Sequence, residues 1–352
     1  MQLRGDTLNL ADTVGHDVKL PEVVIVLALH KPDPGHLAAQ IASLLAQKGV
    51  ALEVIAVFDG DETALDRRVV EMVSAARFRS LYNKNALGAR AAFASGLAAG
   101  LKIAPSNGTF FGYADQDDIW YPDKLSQSVA EATKPDVSLV HCDARVVGAE
   151  GEELSASLHQ YEGRRQHANL FGAVLLNSVT GMTALFPRRT AELALELMLS
   201  YNGELLHDHV TSVAAACLGR SVFIDRPLVD YRQHATNHVG AKKQKNLFRS
   251  RQVGMTYVRS YRQTSRRIFY SRQELCRAMD HAGTLPADLA AIFRLRTGFS
   301  MFGLSKAFLS EAGALLLAVQ LRRFFLAIRI FDASLTLDTS PPKLADSQSN
   351  CG

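Results

Sequence analysis

Residues 23–29 read Val-Val-Ile-Val-Leu-Ala-Leu, an apolar run with no polar interruption. A strand with one wet face alternates polar and apolar residues. A continuous β-branched run instead belongs to a strand covered on both faces, as in a parallel sheet packed between helices. The next residues agree with a helical cover. Asp33-Pro34 reads as an N-cap and first helical residue, Leu37, Ile41, Leu44 and Leu45 recur at helical spacing, and Gly49 closes the segment. A second strand over 52–58 ends at Asp59-Gly60-Asp61. A helix over 65–76, a strand over 78–82, a helix over 86–101 and a strand over 109–114 complete a β-α-β-α-β-α-β alternation. That order predicts an α/β fold with a mostly parallel sheet flanked by helices. Further on, the pattern predicts a helix over 122–133, strands at 137–142, 179–186 and 222–225, and helices near 188–200 and 208–218. Residues 148–167 read as a polar loop.

Ligands of such sheets collect at the carboxyl ends of the strands. Three polar clusters fall there: Leu29-His30-Lys31, Asp59, and Asp115-Gln116-Asp117-Asp118. No GxGxxG follows the first strand and no GxxxxGK[ST] occurs, which argues against a dinucleotide site and a P-loop. Three carboxylates within four residues repel one another unless a cation lies among them. Oxygen ligands suit Mg²⁺ or Mn²⁺, ions that also hold phosphates. A solvated turn capping the helix from Pro122 would account for one such Asp but poorly for three.

The extended string Asp115-Gln116-Asp117-Asp118-Ile119-Trp120, followed by Pro122-Asp123-Lys124-Leu125, resembles the DxD segment of family 2 glycosyltransferases, especially bacterial rhamnosyltransferase-like members. The resemblance covers residues 21–240. It implies a GT-A fold, a nucleotide-diphosphate sugar donor and a divalent cation, Mg²⁺ or Mn²⁺. By the same resemblance Asp117 and His234 are expected at the metal. Leu29, His30, Asp59, Asn85, Gly88, Asp115, Gln116, Asp118, Trp120, Thr180, Gly181, Gln233 and His234 are expected around the nucleotide sugar. Asp208, within Leu206-His207-Asp208-His209, is expected to be the general base that activates an acceptor hydroxyl on a glycan or lipid-linked acceptor, with inversion at the sugar. The sequence departs from the family at Leu29-His30-Lys31-Pro32, where Thr-Tyr-Asn-Gly is usual, and at Phe58, where a first acid is usual. The Gln-x-x-Arg-Trp signature of processive synthases is absent. Rhamnose from dTDP-rhamnose is the first donor expected, in surface-polysaccharide assembly.

The 352 residues suggest two domains, or one large α/β domain with an appendage. The chain divides into a polar leader (1–20), the catalytic domain (21–240), a basic and amphipathic helical C-terminal region (241–335) and a disordered tail (336–352). Between Lys242 and Arg272 ten Lys and Arg residues occur with no acid. With Tyr257, Tyr261, Phe269 and Tyr270 among them, this stretch is expected to meet anionic lipid headgroups. The apolar stretch from Phe299 to Phe331 is broken by charges and is too short to span a bilayer. It is expected to cover the catalytic domain, to form a homodimer contact or to lie in the membrane interface. The four cysteines form no CxxC, and the first 20 residues lack a signal-peptide core. A cytoplasmic enzyme, peripheral at the inner face of the cell membrane, is the expectation. Two alternatives are a phosphatase with a DxD nucleophile, and a basic nucleic-acid-binding or membrane-binding protein. Nucleic acid is not the expected partner, because the acidic rim repels phosphate when no metal is present.

Overall fold

The computed structural model describes residues 19–60, 66–104, 106–164, 170–175, 177–233 and 270–292. Its strands are β1 (Glu22–Leu29), β2 (Ala51–Asp59), β3 (Arg79–Asn83), β4 (Phe110–Ala114), β5 (Ile119–Trp120), β6 (Val137–Val147), β7 (Glu153–Ser155), β8 (Ala184–Pro187) and β9 (Arg220–Arg232). The helices are α1 (Pro34–Leu45), α2 (Arg67–Ala75), α3 (Ala89–Ile103), α4 (Lys124–Ala132), α5 (Leu158–Glu162), α6 (Leu170–Leu175), α7 (Arg188–Ser200), α8 (His207–Leu218), α9 (residues 270–281) and α10 (Ala287–Ile292).

The strands form one sheet in the order β3-β2-β1-β4-β8-β6-β9-β5, with β7 paired to β6. β1 runs parallel to both β2 and β4, with Val26 opposite Ile55 on one side and Tyr113 on the other. Val24 and Val26 face a core shared with α3, α7, α8 and α9; Ile25 and Leu27 face a second core shared with α1 and α4. The uninterrupted apolar run is thus explained by burial on both faces. Helix α3 lies so close to the sheet that a Cβ on Gly96 would stand 2.2 Å from Val26 Cγ1.

The expected parallel sheet holds for β3-β2-β1-β4 and then changes. β8 enters antiparallel to both β4 and β6, β5 is antiparallel to β9, and only β6 with β9 is again parallel. A side-chain pattern encodes burial and carries little information on strand direction. Residues 179–186, expected as one strand, contain a 3-10 turn at Gly181–Thr183 before β8. β9 is far longer than the expected 222–225. Its ladder skips from Ile224 to Pro227, so a bulge accommodates Asp225, Arg226 and the proline without ending the strand. The polar stretch 148–167 holds β7 and α5, tied to β6 by the Asp143 carboxylate, which accepts from the amides of Leu158 (3.1 Å) and His159 (3.2 Å) and from the Ser157 hydroxyl.

Helix α9 packs into the catalytic core: Leu275, Cys276, Ala278 and Met279 are buried there, and Tyr201 Oη lies 2.7 Å from Ser271 Oγ. Tyr270 and Arg272 therefore leave the set of lipid-facing residues. Tyr270 packs against the same core, and Arg272 Nη2 donates to Leu175 O at 3.1 Å. Residues 242–269 and the apolar stretch 299–331 lie outside the described residues. Among the described residues no helix is long and apolar enough to cross a membrane.

Candidate active site

The carboxyl ends of β1, β2 and β4 meet, as doubly covered sheets arrange them. The His30 amide donates to Gln116 Oε1 at 2.8 Å, Gln116 Nε2 donates back to His30 O at 3.1 Å, and His30 Nδ1 lies 2.8 Å from Asp59 O. The expected residues Leu29, His30, Asp59 and Gln116 are thus gathered by one hydrogen-bonded clip. Leu29 is buried and offers only its backbone to the rim. Lys31, next along, has φ 45°, a left-handed conformation uncommon for a side chain of its kind.

Asp59 is buried and its carboxylate is committed to the protein. It accepts from the amides of Leu87 (3.1 Å) and Gly88 (2.9 Å) and from Asn83 Nδ2 (3.3 Å). It therefore shapes the loop carrying exposed Asn85 and delivers Gly88, at φ 86°, to the start of α3.

Past β4 the acids separate by depth. Asp115 and Asp117 are partly exposed, whereas Asp118 is 0% exposed. Burial, reinforced by the charges of Asp117 and Asp208, pushes the Asp115 carboxyl up to about 7. Burial and the acids at 117 and 115 hold Asp118 well above the usual carboxylate range. Asp118 Oδ1 accepts from the Arg232 amide at 3.2 Å, and its Oδ2 has no hydrogen-bond partner among the described residues. The Arg232 guanidinium spans Asp117 O (3.0 Å) and Ala149 O (2.7 Å), locking the end of β9 to the acidic turn. Two expected donor contacts move inward as a result. Asp118 lies beneath the rim, and Trp120, 1% exposed, is a core residue with no ring surface for a sugar. Gln233 binds its own strand neighbours, its amide donating to Val147 O at 2.8 Å and its side chain to Arg232 O at 3.2 Å. His234 lies outside the described residues.

The opposite wall comes from α8 and the stretch before β8. Asp208 sits in the first turn of α8, where the helix dipole favours a carboxylate. Asn177, the Gly181 amide and the His209 amide all hydrogen-bond to it, the last at 2.7 Å. Burial nevertheless pushes its carboxyl up to about 6, against the lowering influence of Arg164 and these donors. The charge of Asp208 acts on Asp115, so the structure brings the expected base to the acidic strand end. His207 stacks on Phe93 (centroids 3.8 Å apart) and meets Tyr113 edge-on (4.8 Å). Burial lowers its imidazole to about 3, leaving it neutral. Its Nε2 stands where a Cβ on Gly181 would go, 2.5 Å away, which explains a glycine there.

Arg164 is a site residue that the sequence pattern does not mark. It follows α5, inside the polar stretch, and its Nη1 donates to Thr180 Oγ1 at 2.6 Å. The residue before it, Gly163, caps α5 at φ 61°.

No three His, Cys, Asp or Glu side chains converge as a ready-made ligand set among the described residues. Mg²⁺ and Mn²⁺, however, are commonly held by one or two carboxylates, with substrate phosphates and water completing the shell. Partly exposed Asp115 and Asp117, crowded and buried enough to repel each other, fit a cation that arrives with a diphosphate.

Residues 24–192 match the family described as Glycosyl transferase family 2. A search of curated proteins gives no match. Among solved structures, Staphylococcus aureus TarS 1–349 shares 10% identity at a TM-score of 0.45, over 78% of this chain and 86% of that one. The same protein in complex with UDP-GlcNAc gives 12% and 0.43, over 78% and 76%. The mannosyltransferase PcManGT from Pyrobaculum calidifontis, in complex with GDP-Man and Mn²⁺, gives 15% and 0.42, over 90% and 87%. The family match spans β1 to α7 and includes the acidic turn, so the phosphatase alternative falls away. Residues 24–192 are a glycosyl transferase family 2 domain of the GT-A fold, and the chain that carries it is a glycosyltransferase.

Proposed function

We propose that the enzyme transfers one sugar from a nucleotide-diphosphate donor to a hydroxyl of a glycan or lipid-linked acceptor, inverting the anomeric centre, with Asp208 as general base. The observation that carries this reading is the meeting of Asp208, at the head of α8, with the Asp115–Asp117 strand end. A base works best with a pKa near the operating pH, and burial brings Asp208 to about 6. Asp208 takes the acceptor proton while the acceptor oxygen bonds to the anomeric carbon. The bond from that carbon to the diphosphate breaks in the same displacement. Asp117, with Asp115 beside it, would hold the divalent cation, which when bound supplies Lewis-acid neutralisation of the departing diphosphate. The His30–Gln116 clip and the loop shaped by Asp59 would seat the nucleotide. dTDP-rhamnose is the donor to try first, on the resemblance of residues 115–125; a peripheral membrane location would suit a lipid-linked acceptor.

The test compares wild type with Asp208→Asn. Asp208→Asn should lose roughly 10²–10⁴-fold in transfer, the usual worth of a positioned base. Thermal stabilisation by dTDP, UDP or GDP with Mn²⁺ should survive, since a ligand of the folded state raises the melting temperature by mass action. Wild-type transfer by Asp208→Asn would reject the base assignment.

A further inference from the structure

We infer that His30 reads the edge of the donor's nucleobase, accepting a hydrogen bond at Nε2 and so selecting uracil, thymine or guanine over cytosine and adenine. The inference deepens the reading of the His30–Gln116 clip as the nucleotide seat and rests on it. Strand order gives the direction in which the donor lies. Asp115 and Asp117 follow β4, and the stretch 177–181 that binds Asp208 leads into β8, the neighbour of β4 on one side. On the other side lie β1, β2 and β3 in turn. A diphosphate held at the end of β4 therefore extends its sugar towards Asp208 and its nucleoside towards the ends of β1 and β2. Neighbouring strands stand about 4.8 Å apart, so His30, next after β1, is one such spacing from that anchor.

His30 is fixed there by backbone and ring together. Its amide donates to Gln116 Oε1 at 2.8 Å, its carbonyl accepts from Gln116 Nε2 at 3.1 Å, and its Nδ1 lies 2.8 Å from Asp59 O. A carbonyl oxygen only accepts, so Nδ1 carries the hydrogen. The neutral ring then bears a lone pair at Nε2, which makes no hydrogen bond among the described residues. His30 is exposed, so this lone pair is open to a ligand. The other acceptors at the seat are spent. The Asp59 carboxylate accepts from Leu87, Gly88 and Asn83, and the Gln116 amide is bound to His30 itself. Uracil and thymine offer a ring N–H at N3, and guanine offers one at N1. Cytosine and adenine carry a bare nitrogen at the corresponding place, and two opposed lone pairs repel. Their exocyclic amines reach Nε2 only if the base shifts in its seat.

The experiment is calorimetric titration of the full chain, with Mn²⁺, using matched pairs: UDP against CDP, dTDP against 5-methyl-dCDP, and GDP against ADP. The members of a pair share ring size and diphosphate and differ in whether that ring nitrogen carries a hydrogen. In whichever pair binds, the member with the ring N–H should bind at least about tenfold more tightly, the worth of one good hydrogen bond. His30→Phe, which keeps a flat ring without the acceptor, should bring the two members level. Loss of a mere brace at the end of β1 would weaken both alike and leave their ratio intact. In ¹⁵N NMR of histidine-labelled protein at roughly pH 8, His30 should carry hydrogen on Nδ1 and none on Nε2, its signals identified by their loss in His30→Phe. Equal binding within the pair by wild type overturns the inference, as does an unchanged ratio in His30→Phe or hydrogen on Nε2. If His30→Phe does not fold, the wild-type ratio decides. Failure of the nucleotide-seat reading would appear separately, as no binding by any of these diphosphates, and would reject both.

Discussion

The ammonium of Lys124 lies 3.5 Å from the centre of the Trp120 ring, and both residues are sealed from solvent. Lys124 Nζ has no hydrogen-bond partner among the described residues. The ring face and the nearby charge of Asp118 compensate part of its desolvation. Burial outweighs them and lowers the Lys124 pKa to about 8. A buried cation is thus held near Asp118 at the expense of stability.

That expense has a pH signature. An unfolded lysine titrates near 10.4 and this one near 8, so the folded protein carries the penalty fully below pH 8. Between about pH 8 and 10 the folded state sheds the proton first, and stability rises. Lys124→Met should therefore melt above wild type at pH 7, with an advantage that shrinks as the pH approaches 10. Calorimetry at pH 7, 8.5 and 10 checks this; a gap that does not vary with pH would contradict the buried charge.

Asp208 gives the opposite slope. Its carboxyl is raised to about 6 from an unfolded value near 3.9, so ionising it in the fold is unfavourable. The folded state keeps its proton longer, and this group's contribution to stability falls as the pH climbs from about 4 through 6. Asp208→Asn should match wild type in melting temperature near pH 4 and exceed it at pH 7.5. The gain in stability should accompany the loss of transfer.

At Asp59, hydrogen bonds to a charged acceptor contribute about 1.5–3 kcal/mol, and the carboxylate holds the Leu87 and Gly88 amides. Asp59→Ala should lower unfolding free energy in urea by about that amount. It should also weaken the stabilisation by nucleoside diphosphates, because the loop before α3 loses its anchor.

The Gly181–His207 contact predicts coupling. Gly181→Ala places a Cβ against an imidazole that Phe93 and Tyr113 prevent from moving aside. Overpacking of this kind costs about 1–3 kcal/mol. His207→Ala opens the space, so the double variant should be more stable than the sum of the two single losses, by at least about 0.5 kcal/mol in a double-mutant cycle.

Much of the parallel half is legible in the sequence because its signals are local. Asp33 reads as an N-cap, and its Oδ1 accepts from the amides of Gly35 and His36 at 2.9 Å each. The runs forming β1 and β2 announce double burial directly. The second half is less legible, since its determinants are long-range. Pro227 looks like a strand end until the bulge opposite Asp143 is seen. Trp120 looks like a sugar platform until β5 pairs with β9 and closes over it. Arg164 sits in a stretch with no hydrophobic period, so only the folded position of Asp143 and Thr180 reveals its place beside the base. The acidic turn and Asp208 are identified by resemblance and cannot be joined from spacing, Asp118 and Asp208 standing 90 positions apart.

The reversal of strand direction at β8 has an evolutionary consequence. The acidic turn grows from β4, on the parallel side of the seam, while the stretch cradling Asp208 enters through β8, on the other side. Among the described residues between β6 and β8, β7 is the one strand, so insertions beside it can change length without unpairing a central strand. The two sides of the seam are thus constrained differently, the first by the parallel sheet and the second by what α6 buries and by the donors that Asp208 accepts from.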